Sequence, residues 1–250
     1  MMHVSLILPA VLCVCPGFAQ TVHLQAHAHN DYEHTRPFYD AYENGFRSFE
    51  ADIHLVGGEL HVSHHRPKPS TARTLQALYL KPLDSLRRNA DHEEQMILLV
   101  DIKTEARATL KKLVETLTTY PGLFRTEKSP PFVQFILSGN RDYSLILATP
   151  GLCIDGRPGD LDKGYSADQV PLISDRYDNW MRWSGKGNPD EAELQKLRTL
   201  AKRVHAENKK LRLWAIPDRE EAWGVLLDAG VDFINTDRLE ALNRYLNIRK

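Results

Sequence analysis

The sequence predicts an α/β fold, specifically a single-domain (β/α)8, or TIM, barrel. Short apolar runs alternate with amphipathic stretches about eight times over roughly 225 residues, the pattern of parallel strands joined by helical crossovers. No linker, low-complexity tract or short-period repeat divides the chain, so one domain over residues 21–250 is expected. No glycine-rich phosphate loop follows a strand, which weighs against the runner-up, an open doubly wound sheet. A barrel places its active site at the C-terminal ends of its strands.

The elements follow in order. "TVHLQAHAH" and "FRSFEADIHL" have the length and composition of strands, and "TRPFYDAYENG" between them predicts a helix opened by Thr35 and closed by Gly45. "GGELHVSHH" then turns back like a hairpin. "QMILLVDIK" is a third strand. "EARATLKKLVETLTTY" predicts a helix with Ala106, Leu110, Leu113, Val114 and Leu117 on one stripe. "FVQFILS" predicts a strand, "DYSLILATPG" a helix and "LCID" another strand. "SDRYDNWMRWSGKGNP", residues 174–189, reads as a long irregular stretch and a candidate substrate loop. Asn188 and Pro189 open a helix with Leu194, Leu197, Leu200, Ala201 and Val204 on its face. "LRLWAI" is a strand, and Asp218 with Glu221 makes a capping pair for "REEAWGVLLDAG", which ends on Gly230. "VDFINT" and "DRLEALNRYL" supply the last strand and helix.

Composition narrows the function classes. The chain carries 32 basic and 33 acidic residues with no basic run, so neither nucleic acid nor an anionic membrane is an expected partner. With 42% hydrophobic residues it can bury a substantial core. Residues 1–20 stand apart. "VSLILPAVLCVC" has the length of a signal-peptide apolar region, and "PGFAQ" supplies small residues for cleavage near Ala19 or Gln20, although Met1-Met2-His3 carries no Lys or Arg. The stretch is short for a bilayer span, so export without stable membrane insertion is expected, to the periplasm or outside the cell. Beyond it only Cys153 remains, which excludes an internal disulfide or a cysteine-rich metal site and predicts a buried thiol.

Chemistry concentrates on the second and third strands. Side chains alternate, so Ser48, Glu50, Asp52 and His54 share one face and Phe49, Ala51, Ile53 and Leu55 the other. Two carboxylates pointing into a barrel repel unless something positive neutralises them, and a hard divalent cation, Mg²⁺ or Ca²⁺, suits their oxygens. A solvated polar face on an edge strand is the alternative. In "LLVDIK", Asp101 and Lys103 also share a face. Asp101 would complete a carboxylate trio and Lys103 would meet a substrate anion, or the two would form a structural pair.

Eight of the eleven histidines fall between residues 23 and 65. His29 ends the first strand and His64 follows the hairpin, which makes them candidates for general acid and base near neutral pH. His27-Ala28-His29 also resembles the His-x-His opening of a zinc metallohydrolase of the amidohydrolase or polymerase-and-histidinol-phosphatase type. That reading needs later ligands, and only His92 and His205 follow His65. A barrel that binds a phosphate ligand without turnover is a third reading.

The order His29, Glu50-Ala51-Asp52, "GELHVSHHRP" and "VDIK" resembles the glycerophosphodiester phosphodiesterase family, within the phosphatidylinositol-phospholipase-C-like phosphodiesterases. The resemblance covers most of the chain after residue 20: "YEHTRPFYDAYENG" resembles the stretch after that family's first histidine, and "LRLWAI" and "GVDFINTD" its last two strands. It implies a TIM barrel that cleaves a small-molecule or lipid phosphodiester with two catalytic histidines and one divalent cation. Carried over by position, it implies His29 and His64 as the acid/base pair and Glu50, Asp52 and Asp101 as metal ligands. Asn30, Lys103 and Trp214 would contact substrate. Three positions depart from the family. Its His-Arg-Gly is His29-Asn30-Asp31-Tyr32 here, the Asp after its second histidine is His65, and its third carboxylate, a Glu, is Asp101. The His-Asn opening is closer to the phospholipase C and sphingomyelinase D-like branches.

Overall fold

The computed structural model describes residues 21–89, 94–124 and 130–249. The apolar leader and His92 lie outside them. The strands are β1 (His23–Ala28), β2 (Phe46–Val56), β3 (Glu59–Val62), β4 (Met96–Ile102), β5 (Val133–Gly139), β6 (Leu152–Gly156), β7 (Leu172–Arg176), β8 (Lys210–Trp214) and β9 (Phe233–Thr236). All but β3 are parallel and pair in sequence, and β9 returns to β1, so eight parallel strands close into a barrel. Helices α1 (Tyr39–Glu43), α2 (Lys81–Asn89), α3 (Ala106–Thr118), α4 (Tyr143–Leu147), α5 (Glu191–Ala206), α6 (Glu220–Asp228) and α7 (Leu239–Ile248) lie between strands. This is the (β/α)8 barrel that the sequence predicts. Among the described residues no helix is long and apolar enough to cross a membrane.

The strand alternation builds two apolar clusters. Phe49, Ala51 and Ile53 of β2 belong to the large core that includes buried residues of the helices. A smaller cluster joins Leu99, Ile136, Leu172 and Phe233, with Ile97 and Cys153 packed against it. On β4 the same face carries Leu99 and then Asp101, so a strand that is apolar for most of its length turns charged only at its C-terminal end. Strand β2 runs beyond the ring, and β3 folds back on it antiparallel, with Ile53 opposite Val62. Because the Ser63 amide donates to the Asp52 carbonyl at 3.0 Å, the chain after the hairpin returns to the mouth of the barrel with His64.

Several local expectations are corrected. The helix expected from Thr35 begins only at Tyr39: Pro37 disfavours helical geometry at Arg36, and Phe38 takes φ 68°, held by its amide donating to Asp31 Oδ2 at 2.6 Å. Residues 174–176, read as irregular, are the end of β7, whose five-residue run is too short to stand out. Between residues 66 and 94 the sequence suggests no element, yet a wide helical turn (Gln76–Leu80) leads directly into α2, with Pro82 buried near the join. Helix α5 is capped by Asp190 rather than opened by Asn188-Pro189, since the Asp190 carboxylate accepts from the Glu193 amide at 3.0 Å. Asp218 caps nothing; its carboxylate accepts from Trp223 Nε1, Thr236 Oγ1 and the Asp237 amide, tying α6 to the end of β9. The Cys153 thiol is half-buried because its strand leaves it near the surface, donating to the Asp168 carbonyl at 3.2 Å.

Candidate active site

All eight residues singled out in the sequence line one cleft of about 360 Å³: His29, Asn30, Glu50, Asp52, His64, Asp101, Lys103 and Trp214. Strand register explains the convergence, since Asp52 of β2 lies beside Asp101 of β4. Oxygens of Glu50, Asp52 and Asp101 come within 4.8 Å of one another, and no imidazole of the described residues joins them. Asp52 Oδ1 and Asp101 Oδ1 are buried without a hydrogen-bond partner among the described residues. Gly139 (φ +69°) permits the close approach of Asp101: a Cβ there would overlap Asp101 Oδ1 and the Ile102 carbonyl. A close trio of carboxylates with two orphaned oxygens fits a hard divalent cation in charge and donor type.

The trio is also held by cations of the chain itself. Lys103 Nζ lies 2.9 Å from Asp52 and 3.3 Å from Asp101, and Arg212 Nη2 donates to Glu50 Oε2 at 3.0 Å. Lys103 thus forms the structural pair with Asp101, reaches Asp52 as well, and lines the cleft. Burial pushes Asp101 up to about 6, with Asp52 and Glu50 adding to the effect and Lys103 opposing it. For Glu50 burial acts in the same direction, but the Arg212 charge and the imidazoles of His27 and His29 prevail and hold it well below the usual carboxylate range.

The two histidines differ in setting. His29 Nδ1 bonds Asp237 Oδ1 at 2.8 Å, which leaves Nε2 as the ring nitrogen available to the cleft. Burial alone would lower its pKa, yet the Asp237 bond and the Glu50 and Asp237 charges raise it above the ordinary value. His64 is more exposed, 3.3 Å from Asp52 Oδ2, with the His65 ring edge-on at 4.8 Å. Asn30 sits in the left-handed region (φ 46°), its Oδ1 accepting from the Tyr32 hydroxyl at 2.6 Å and its Nδ2 3.2 Å from His29 Nδ1. The motif His29-Asn30-Asp31-Tyr32 is therefore a built corner: Tyr32 fixes Asn30, Asn30 abuts His29, and Asp31 holds Phe38.

His27 does not act as a partner ligand for His29. It is buried against Ser48 Oγ (2.7 Å) and lies 3.5 Å from Glu50. Burial first, and the Arg212 charge second, push its pKa down to about 4. No residue of 174–189 lines the cleft; Asp175 accepts from Asn179 Nδ2 and Trp180 Nε1 and fastens that stretch to itself.

Sequence reasoning missed Arg141, Arg157, Arg212 and Ser138, which also line the cleft, and Asp237, which orients His29. Arg212 carried a signal, a charge inside the apolar run "LRLWAI" two residues before Trp214 and hence on its face. Asp237 was assigned to the last helix, but that helix starts at Leu239, and Asp237 stands at the C-terminal end of β9. Arg157 is anchored by Asp155 Oδ2 at 2.8 Å and stacks 4.9 Å from the Trp214 ring.

Comparison with known proteins agrees with this geometry. Residues 18–94 match the AIM6-like phosphodiesterase domain, and residues 210–240 match the glycerophosphoryl diester phosphodiesterase family. The chain is 26% identical to altered inheritance of mitochondria protein 6 of Eremothecium gossypii over 88% of its own length and 69% of the relative's. It is 24% identical to the homologue of that protein in Arthroderma benhamiae, over 90% and 84%. A glycerophosphodiester phosphodiesterase of Parabacteroides distasonis shares the fold with a TM-score of 0.55 at 15% identity, covering 92% of this chain and 97% of that one. The first match spans His29, Glu50, Asp52 and His64, and the second spans Arg212, Trp214 and Asp237, so both fall on the walls of one cleft. In both of these stretches the chain is similar to phosphodiesterase families of the glycerophosphodiester type.

Proposed function

We propose that the protein cleaves a phosphodiester, in a small molecule or a phospholipid headgroup, using a divalent cation and two histidines. The observation that carries the reading is the carboxylate trio with two orphaned buried oxygens, in a cleft that His29 and His64 also line. Glu50, Asp52 and Asp101 would hold Mg²⁺ or Ca²⁺. Bound there, the cation supplies positive charge to phosphoryl oxygens as the transition state gains charge. His64, the more exposed imidazole, takes the proton of the attacking hydroxyl, whether water or a neighbouring substrate hydroxyl. His29, kept protonated by Asp237, gives a proton to the leaving alcohol. Lys103 and Arg212 add positive charge beside the reacting phosphate, and Arg212 keeps Glu50 ionised. The apolar leader supports export to the periplasm or beyond the cell, where soluble or lipid diesters would be met.

Hydrolysis of bis(p-nitrophenyl) phosphate and of glycerophosphodiesters, with EDTA or with added Mg²⁺ or Ca²⁺, tests the reading on wild type and Glu50→Ala. Metal-dependent turnover that disappears in the variant is the expected result. Absence of turnover in wild type under every metal, with phosphate ligands still bound, would move the assignment to a binding protein.

A further inference from the structure

Four cationic side chains line the cleft, and three have carboxylate partners: Lys103 with Asp52 and Asp101, Arg212 with Glu50, and Arg157 with Asp155. Arg141 has none among the described residues. Its Nη1 donates to the Gly139 carbonyl at 3.0 Å, its Nη2 reaches the Tyr143 hydroxyl at 3.4 Å, and its Nε is buried with no acceptor. The guanidinium also lies 5.4 Å from the Tyr143 ring, and that hydroxyl is itself committed to Asp160 at 2.7 Å. A partly desolvated guanidinium with an orphaned N–H is costly unless something anionic meets it.

Arg157 reaches the same strand end. Arg141 Nη1 bonds the carbonyl of Gly139, and Arg157 Nη2 reaches the hydroxyl of the preceding residue, Ser138, at 3.4 Å. Both guanidinium groups therefore hang on consecutive residues at the C-terminal end of β5, next to Asp101. Arg157 spends Nη1 on Asp155 Oδ2 and on the carbonyls of Asp155 and Gly156, and its plane is set against Trp214. That leaves its Nη2 edge with only the long Ser138 contact. Two forks whose positions are fixed by backbone carbonyls make a preformed seat for a planar or tetrahedral anion.

We propose that Arg141 and Arg157 form an anion subsite beside the reacting phosphate, so that the preferred diester carries a second anionic group, a carboxylate or a phosphomonoester, on one of its alcohols. The inference rests on the phosphodiesterase reading for the position of the scissile phosphate, and it adds the substrate class. Charge-assisted bonds from one guanidinium correspond to a preference of roughly tenfold to a hundredfold.

The test compares glycerophosphoglycerol, whose second alcohol is uncharged, with glycerophosphoserine and with the terminal phosphomonoester of glycerophosphoglycerol, on wild type, Arg141→Gln and Arg157→Gln. The expected wild-type kcat/KM is at least about tenfold higher for an anionic diester, with the gap shrinking to about threefold or less in Arg141→Gln, mainly through KM. The two anionic arms separate a carboxylate from a phosphomonoester as the preferred group. Equal handling of charged and uncharged diesters by wild type, or an unchanged gap in both variants, overturns the subsite. Calorimetric titration of the same three compounds into metal-free wild type and Arg141→Gln gives a second readout. If wild type hydrolyses nothing, the phosphodiesterase reading fails, while a binding preference lost in Arg141→Gln still supports the subsite and its absence refutes it.

Discussion

Arg212 Nη2 donates to Glu50 Oε2 at 3.0 Å, joining β8 to β2 across 162 residues of chain, with both side chains buried. Arg212 Nε also donates to Asn235 Oδ1 at 2.8 Å, so the guanidinium is fixed before any ligand arrives. A buried pair of this kind contributes little net stability as a pair, but removing one member strands the other charge. Arg212→Met should therefore destabilise the fold by about 3–5 kcal/mol in urea denaturation, and adding Glu50→Gln should recover part of that loss. Additive losses in the double variant would show that the two side chains are not coupled.

Cation binding should depend on pH in a way set by Asp101. A bound cation needs the ionised carboxylate, and burial holds the Asp101 proton to about pH 6 in the metal-free cleft. Affinity for Mg²⁺ or Ca²⁺ should be level above that pH and fall by at most about tenfold per pH unit below it, as one proton competes with the metal. Asp101→Asn should weaken binding at every pH and flatten the slope. Titration calorimetry from pH 5 to 8 measures both, and an affinity that stays constant down to pH 5 would place the cation away from Asp101.

The contrast between what the sequence disclosed and what it hid has a physical basis. Glu50, Asp52 and Asp101 stood out because each is a charge inside an apolar strand, where the period of two sets the face it takes, and Lys103, just past the end of β4, follows the same alternation. His29 and His64 stood out by position, at a strand end and after a hairpin. Arg141, Arg157 and Asp237 lie just past strand ends, where no periodicity applies and a charged residue looks like any loop charge. For Arg157 and Asp237 the role comes from a distant partner, Trp214 and His29 respectively, the latter 208 residues away, which local pattern does not encode. The strained turn at Phe38 was hidden for the same reason: Asp31 and Tyr79 hold it, and Tyr79 comes from an unassigned stretch.

Asp237 should act through His29. The carboxylate bonds Nδ1 and raises the imidazole pKa, so His29 remains a proton donor to higher pH than a free histidine. Because a general acid works only while protonated, kcat/KM should fall as pH rises through the His29 pKa. Asp237→Asn should shift that alkaline limb to lower pH, whereas His29→Ala should cost about 10²–10⁴-fold in rate and remove the limb. Identical pH profiles in wild type and Asp237→Asn would assign the proton to another group.

Asp31 offers a test of the corner that carries His29, with stability as the readout. Burial pushes its carboxyl up to about 7 from 3.8, although the Phe38 amide and the Tyr79 hydroxyl both donate to Oδ2 and pull the other way. The folded chain therefore binds this proton more tightly than the unfolded chain. Its contribution to stability is fully present below about pH 4 and is lost as pH rises to 7, by at most about 1.4 kcal/mol per pH unit. Asp31→Asn keeps an acceptor for Phe38 and Tyr79 but cannot titrate, so its stability relative to wild type should rise steadily from pH 4 to 7 and level off above. Asp31 Oδ1 has no partner among the described residues, so absolute stability is not the readout. The slope of the difference between the two curves is the quantity that decides. Parallel curves would mean that Asp31 is ionised throughout this range, with the strained Phe38 held by a charged rather than a neutral carboxyl.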